Sequence, residues 1–199
     1  MRELTPLCLL AKKHETDKGG RHLRYGGADS DTCHEYTPIY HDLLGHRRES
    51  VKRVLEIGVN AGSSLRMWRE YFPNALIVGL DNNVHCLFVD ERIYCGQADQ
   101  GDKQSLLAAM EFVGGKFDLI IDDGSHELAH QILTMNTLAP FLEDDGIYVV
   151  EDIRDRDNPL TLAQHLRDDF DWDAIYCEPG IGKSHSPCEH LLVIRRPGA

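Results

Sequence analysis

From Val51 onward the chain alternates short apolar runs with longer stretches whose apolar residues recur at helical spacing. The runs RVLEIG (53–58), ALIVGLD (75–81), RIYCGQ (92–97), FDLIID (117–122) and GIYVVED (146–152) each end on turn-forming or polar residues. They are too short for helices and too continuously apolar for half-exposed strands, so they predict buried strands. Between them, SSLRMWREYF (63–72) predicts a helix with Ser63 as its N-cap and Leu65, Trp68 and Phe72 on one face. Further helices are predicted over 103–113, over 127–142 until Pro140, and over 160–170. Two closing runs, 172–177 and 190–196, have no helix between them and predict a hairpin. Strands alternating with helices imply parallel βαβ units, hence an α/β, doubly wound, Rossmann-like sheet of seven strands with an antiparallel C-terminal edge.

Residues 1–50 differ. They are polar, His-rich and interrupted by glycine, with one short helix predicted over Glu3 to Lys13 and another after Pro38. The chain therefore divides into a short N-terminal helical extension or lid (1–50) and a core domain (51–199). The net charge of −12 argues against a nucleic-acid or anionic-membrane surface, both of which need a basic face. No apolar run approaches the roughly 20 residues of a membrane span, and the N-terminus lacks the apolar core of a signal peptide. Six cysteines at 8, 33, 86, 95, 177 and 188 include no Cys-x-x-Cys, which suits free thiols in a reducing cytoplasm. His185, Cys188 and His190 have the residue types of a zinc cluster, against the plainer alternative of a loop entering the last strand.

In open α/β sheets ligands bind beyond the carboxyl ends of the strands. After the first strand, EIGVNAGSS places Glu56, Gly58, Asn60 and Ser63 around a glycine turn that opens a helix. Such a turn admits a ligand close to the backbone, although strand-to-helix turns use glycine without any ligand. Asn60 stands where a dinucleotide fingerprint has its second glycine, which counts against an oxidoreductase on the same architecture. Asp81, followed by Asn82, suits two ribose hydroxyls; the alternative is a helix cap or a surface acid. Asp99 and Gln100 suit an adenine amino group, or simply cap the next helix. The fourth strand ends in Asp122 and Asp123 with His126 close behind, and the fifth in Glu151 and Asp152. Carboxylates converging from two neighbouring strands repel unless a cation lies among them, and oxygen ligands suit Mg²⁺ or Mn²⁺ rather than zinc. The alternative is that Asp123 caps a helix and that Glu151 and Asp152 face solvent.

These segments, taken together, resemble the class I S-adenosylmethionine-dependent O-methyltransferases, and more closely the metal-dependent sugar O-methyltransferases of natural-product pathways. The matching stretches are LAKKHETDKGG (10–20), HEYTPIYHDLL (34–44), 54–81, DQGD (99–102), LIIDDGSH (119–126) and GIYVVEDI (146–153). The resemblance implies S-adenosylmethionine held by Glu56, Gly58, Asp81, Asp99 and Gln100, with Asn60, Ser63, Asn82 and Asp122 alongside. It implies Mg²⁺ on Asp123, Glu151 and Asp152, His126 as the base, and a hydroxylated small molecule as acceptor. Lys18, Tyr36 and Tyr40 are weaker candidates over the cofactor, or else pack the first helices on the sheet. Relatives often carry a large separate N-terminal domain, which leaves a homo-oligomer and the acceptor open. A non-catalytic module that keeps the cofactor fold is the remaining alternative.

Overall fold

The structure, a computed structural model, describes residues 4–19, 34–153, 161, 162, 164, 172–177 and 190–196. Its helices are α1 (Pro6–His14), α2 (Tyr36–Leu44), α3 (Ser63–Tyr71), α4 (Lys103–Val113) and α5 (Leu128–Leu138). Its strands are β1 (Arg53–Ile57), β2 (Leu76–Asp81), β3 (Val89–Asp90), β4 (Ile93–Gln97), β5 (Phe117–Asp122), β6 (Leu142–Val150), β7 (Asp173–Cys177) and β8 (Leu191–Arg195). They form one sheet in the order β3-β4-β2-β1-β5-β6-β8-β7. The run β4-β2-β1-β5-β6 is parallel throughout, as the alternation predicts.

Among the described residues the sheet has eight strands rather than seven. The extra one, β3, is a two-residue antiparallel partner of β4 with both residues exposed, so it leaves no apolar run to detect. The closing pair is antiparallel and lies at one edge as predicted, but the strand that opposes the parallel run is the inner one. β8 lies between β6 and β7 and runs antiparallel to both. Burial explains the placement: four consecutive residues of β8 are buried on both faces, whereas β7 exposes Asp173 and Ile175 and tolerates an edge. Three local expectations also shift. Gly62, at φ +74°, is the N-cap of α3, and Ser63 is its first helical residue. α2 begins at Tyr36, so Pro38 falls within its first turn, where the missing N–H costs nothing. α5 stops at Leu138 and passes into a tighter turn, Ala139–Phe141. The predicted 160–170 helix and the His185–Cys188 stretch lie largely outside the described residues.

Strand periodicity splits the core in two. Val54, Ile77, Leu119, Ile121, Ile147 and Val149 join Leu7, Ala11, Tyr36, Tyr40, Leu44, Leu65 and Trp68 on the face covered by α1, α2 and α3. Leu55, Ile57, Val78, Ile120, Tyr148 and Val150 join Leu106, Met110, Met135 and Leu138 under α4 and α5. The first fifty residues thus contribute a layer of the same core. No helix among the described residues is long and apolar enough to cross a membrane.

Candidate active site

The parallel register decides which acids meet. Ile57, Asp122 and Val150 are aligned across β1, β5 and β6. The ladder runs one residue further, with Asp123 N–H donating to the Ile57 carbonyl (3.0 Å) and Glu151 N–H to the Asp122 carbonyl (2.9 Å). Gly58, Asp123 and Glu151 are therefore the next row, turned toward the N-terminal layer. Gly58 has φ +94°, and a Cβ there would lie 2.1 Å from the Asp123 carbonyl oxygen, so only glycine lets the two strand ends approach.

Asp81 braces the turn after β1. Its Oδ2 accepts from Val59 N (2.8 Å) and Asn60 N (3.2 Å), and its Oδ1 from Asn83 N (2.8 Å). Asn60 sits in the left-handed region at φ 47°, a conformation asparagine tolerates better than most residues. A cavity of about 450 Å³ opens here, lined by Thr16, Asp17, Gly58, Asn60, Ser63, Asp81, Asp123, His126 and Asp152 among others. A second of about 210 Å³ shares Gly58, Asp81 and Gly124 with it and adds Asn82, Asp99, Gln100, Ser125 and His130, with Ile57, Leu80 and Ala98 as apolar walls. The larger volume alone lies within the usual range of small-molecule sites.

At the far side of the larger cavity, Asp123, His126 and Asp152 each offer a ligand atom, all within 4.8 Å of one another. His126 Nε2 is 3.9 Å from Asp152 Oδ2, while Tyr36 OH donates to Asp152 Oδ1 (2.6 Å) and His34 Nδ1 lies 3.5 Å from it. His126 and Asp152 both hold left-handed backbones, at φ 58° and 51°, which aims them at one point at a conformational cost. Burial raises the pKa of Asp152, with nearby Asp123 adding to it against the opposing pull of His34.

Three predicted residues turn away from the cavities. Glu56 is fully buried in the α3 layer and accepts from Ser64 Oγ and Trp68 Nε1, 2.6 Å each. Glu151 is equally buried, with Oε1 accepting from Tyr40 OH and Oε2 from Lys18 Nζ, 2.5 Å each. Asp122 points to the α4–α5 side, where Gln100 Nε2 donates to its Oδ1 (2.5 Å) and burial lifts its pKa to about 7. Gln100 lines the smaller cavity, but its polar atoms are spent internally, since Oε1 also accepts from Ser125 N (2.8 Å). Sequence reasoning did not single out Thr16, Asp17, Ser125 or His130. Ser125 Oγ and His130 Nδ1 are 2.9 Å apart at the smaller cavity, but five residues of separation across a turn form no recognisable motif.

No family model matches the chain. Curated relatives do. The chain is 35% identical over 160 residues, 77% of its length, to the 8-demethyl-8-alpha-L-rhamnosyl tetracenomycin-C 2'-O-methyltransferase of Streptomyces olivaceus. It is 41% identical over 131 residues, 60% of its length, to the mycinamicin VI 2''-O-methyltransferase of Micromonospora griseorubida. These matches cover only 39% and 32% of the relatives' own lengths. Among solved structures, the MycE methyltransferase of the mycinamycin biosynthetic pathway, in complex with Mg, SAH and mycinamycin VI, aligns with a TM-score of 0.61 at 34% identity. That alignment covers 74% of this chain and 39% of the other.

Proposed function

The chain belongs to the class I S-adenosylmethionine-dependent methyltransferases, and from that premise we propose that it is a divalent-cation-dependent O-methyltransferase acting on a hydroxyl of a sugar or polyol-containing small molecule. The observation that carries this reading is the placement of Asp123, His126 and Asp152 in the same cavity as the Asp81 turn. Asp123 and Asp152, each with an oxygen within 4.8 Å of the other and of His126, would suit an Mg²⁺ or Mn²⁺ ion, with the imidazole left free beside it. The glycine turn at Gly58, the acid at Asp81 and the apolar walls of the smaller cavity fit a nucleoside.

S-adenosylmethionine supplies a methyl group on a sulfonium that is already a good leaving group, and a divalent cation supplies charge that eases deprotonation of a neighbouring hydroxyl. The chain's own task is then mainly positioning. Asp81, with lone pairs to spare beyond its three backbone donors, takes the ribose hydroxyls, and Asn82 and Asp99 lie along the nucleoside. Ser63 and Asn60 line the wall beside the reacting end. Asp123 and Asp152 would hold the cation, with Glu151 immediately behind them. His126 Nε2 accepts the proton of the acceptor hydroxyl, and Asp152 stabilises the resulting imidazolium. The acceptor is a small hydroxylated molecule, and the four described cysteines, all free thiols, suit a reducing cytoplasm.

The test is calorimetry with S-adenosylhomocysteine, followed by turnover on a panel of deoxysugar glycosides and free polyols. Chelation should abolish methyl transfer and Mg²⁺ should restore it. His126→Ala should lower kcat by about 10²–10⁴ while leaving S-adenosylhomocysteine affinity nearly unchanged. Full turnover after exhaustive chelation removes the cation from the mechanism, and absence of S-adenosylhomocysteine binding overturns the reading as a whole.

A further inference from the structure

One lysine among the described residues is almost wholly buried. Lys18 is 1% exposed, and its ammonium donates to Asp123 Oδ2 and Glu151 Oε2 at 2.5 Å each. Glu56 Oε1 lies 3.6 Å from the same ammonium. Three strands, β1, β5 and β6, thus each bring one acid to the same side of the sheet, and one cation from the N-terminal layer meets all three. A buried ammonium is strongly disfavoured without partners, and so are two buried carboxylates, Glu56 and Glu151, beside the partly exposed Asp123 without a cation. Each side of this cluster is therefore stable only with the other. The residues around Lys18 are held in turn. Tyr36 N–H and Thr37 N–H donate to the Lys18 carbonyl (3.0 and 3.1 Å), and His34 N–H to the Asp17 carbonyl (2.8 Å). Immediately before it, Glu15, Thr16 and Asp17 line the larger cavity.

We propose that Lys18 is the resident cation of this acid cluster: it fixes Glu151 and Asp123 from behind, pins Glu15–Asp17 as a wall of the cavity, and leaves a divalent ion only the outward oxygens of Asp123 and Asp152. Glu151 then serves the site as an anchor for Lys18. Lys18 is a positioning residue, and its ammonium and the divalent ion share the charge of one carboxylate group from opposite sides. The part of the proposal that concerns the ion rests on the function proposed above; the part that concerns Lys18 and the carboxylates does not.

Thermal melts of the full chain in EDTA and in saturating Mn²⁺ test both parts. Lys18→Met should lower the metal-free Tm by about 10 °C, the size expected for stranding buried charge in a chain of this length. Lys18→Arg should recover part of that loss. The double variant Lys18→Met/Glu151→Gln should recover more than half of it, because the stranded carboxylate is gone. Mn²⁺ should raise the Tm of Lys18→Met by at least twice its effect on the parent protein, since the ion then carries charge the ammonium carried before. If Lys18→Met fails to fold in EDTA, refolding in Mn²⁺ should rescue it, and the double variant should fold without metal. A metal-free Tm within about 2 °C of the parent's, or a double variant no better than the single, overturns the proposal. Equal Mn²⁺ increments in the two proteins overturn the sharing of charge. A Tm that Mn²⁺ moves in neither protein, with the double-variant recovery intact, supports Lys18 as the resident cation and counts against the divalent site instead.

Discussion

Asp122 is the residue whose chemistry is most exposed to test. Its carboxyl is buried and accepts at Oδ1 from Gln100, and the hydrogen bonding of Gln100 and the Gly124 backbone only partly offsets the burial. Burial lifts its folded pKa from the ordinary 3.8 to about 7. Below about pH 3 the carboxyl is neutral in both folded and unfolded chains, and it does not weigh on the folded state. As pH rises toward 7 the unfolded chain ionises while the folded one stays neutral, so stability falls, by a total on the order of 4 kcal/mol, and levels off above about pH 7.5. Asp122→Asn keeps the Oδ1 acceptor and removes the titration. Its stability advantage over the parent should widen from pH 4 to 7 in urea denaturation, and parallel pH profiles would exclude Asp122 as the source. Gly58 is the second critical residue, for a steric reason. A Cβ 2.1 Å from the Asp123 carbonyl cannot be relieved by a side-chain rotation, because the obstacle is backbone. Gly58→Ala should cost at least ~2 kcal/mol and weaken S-adenosylhomocysteine binding, measured by denaturation and calorimetry on the same protein.

At the scale of elements, α2 serves the site through spacing alone. Tyr36 and Tyr40, one helical turn apart, deliver hydroxyls to the adjacent acids Asp152 and Glu151. The two bonds differ in surroundings. Glu151 is 1% exposed, so Tyr40→Phe leaves a buried carboxylate oxygen short of a donor and should cost about 1–3 kcal/mol. Asp152 reaches the cavity, where water can replace the phenol, so Tyr36→Phe should cost clearly less; equal costs by chemical denaturation would refute the distinction. The same elements explain what could be read from the chain in advance. The parallel units were legible because each strand is a continuous apolar run and each helix has a 3.6-residue stripe. The acids at the ends of β5 and β6 were legible because strand ends are where such sheets bind ligands. Which acid faces which layer was not, since that depends on register and on parity within it. Glu56 and Glu151 read as site residues by position, yet parity sends them toward Trp68, Tyr40 and Lys18. Lys18, one of the two side chains that donate to Glu151, lies 133 residues away in a polar segment with no periodicity, and no local pattern connects the two. β3, two exposed residues long, was invisible for the opposite reason: it buries nothing.

At the scale of the whole molecule, the N-terminal layer is the feature on which fold and site both depend. Leu7, Ala11, Tyr36, Tyr40 and Leu44 are fully buried in the same cluster as Trp68, Leu119 and Val149. Their loss would expose the sheet face that carries Glu56, Asp123 and Glu151 and would remove the ammonium those acids surround. The apolar term and the charge term therefore point the same way, in contrast to a lid that closes over an already complete domain. A chain beginning at residue 51 should lack a cooperative thermal transition, bind a hydrophobic dye at room temperature and fail to bind S-adenosylhomocysteine. The matched region is less than half of the relatives' own length, and for this chain support in trans requires an added segment that covers the same face. Adding back a peptide spanning residues 4–50 tests this directly, because it carries α1, Lys18 and α2 together. A truncated chain that melts cooperatively within about 5 °C of the full protein would make the first fifty residues a dispensable lid. Recovery by the peptide carrying Lys18, and loss of that recovery when the peptide has Lys18→Met, would show that burying apolar surface is insufficient and that the sheet face also requires the cation.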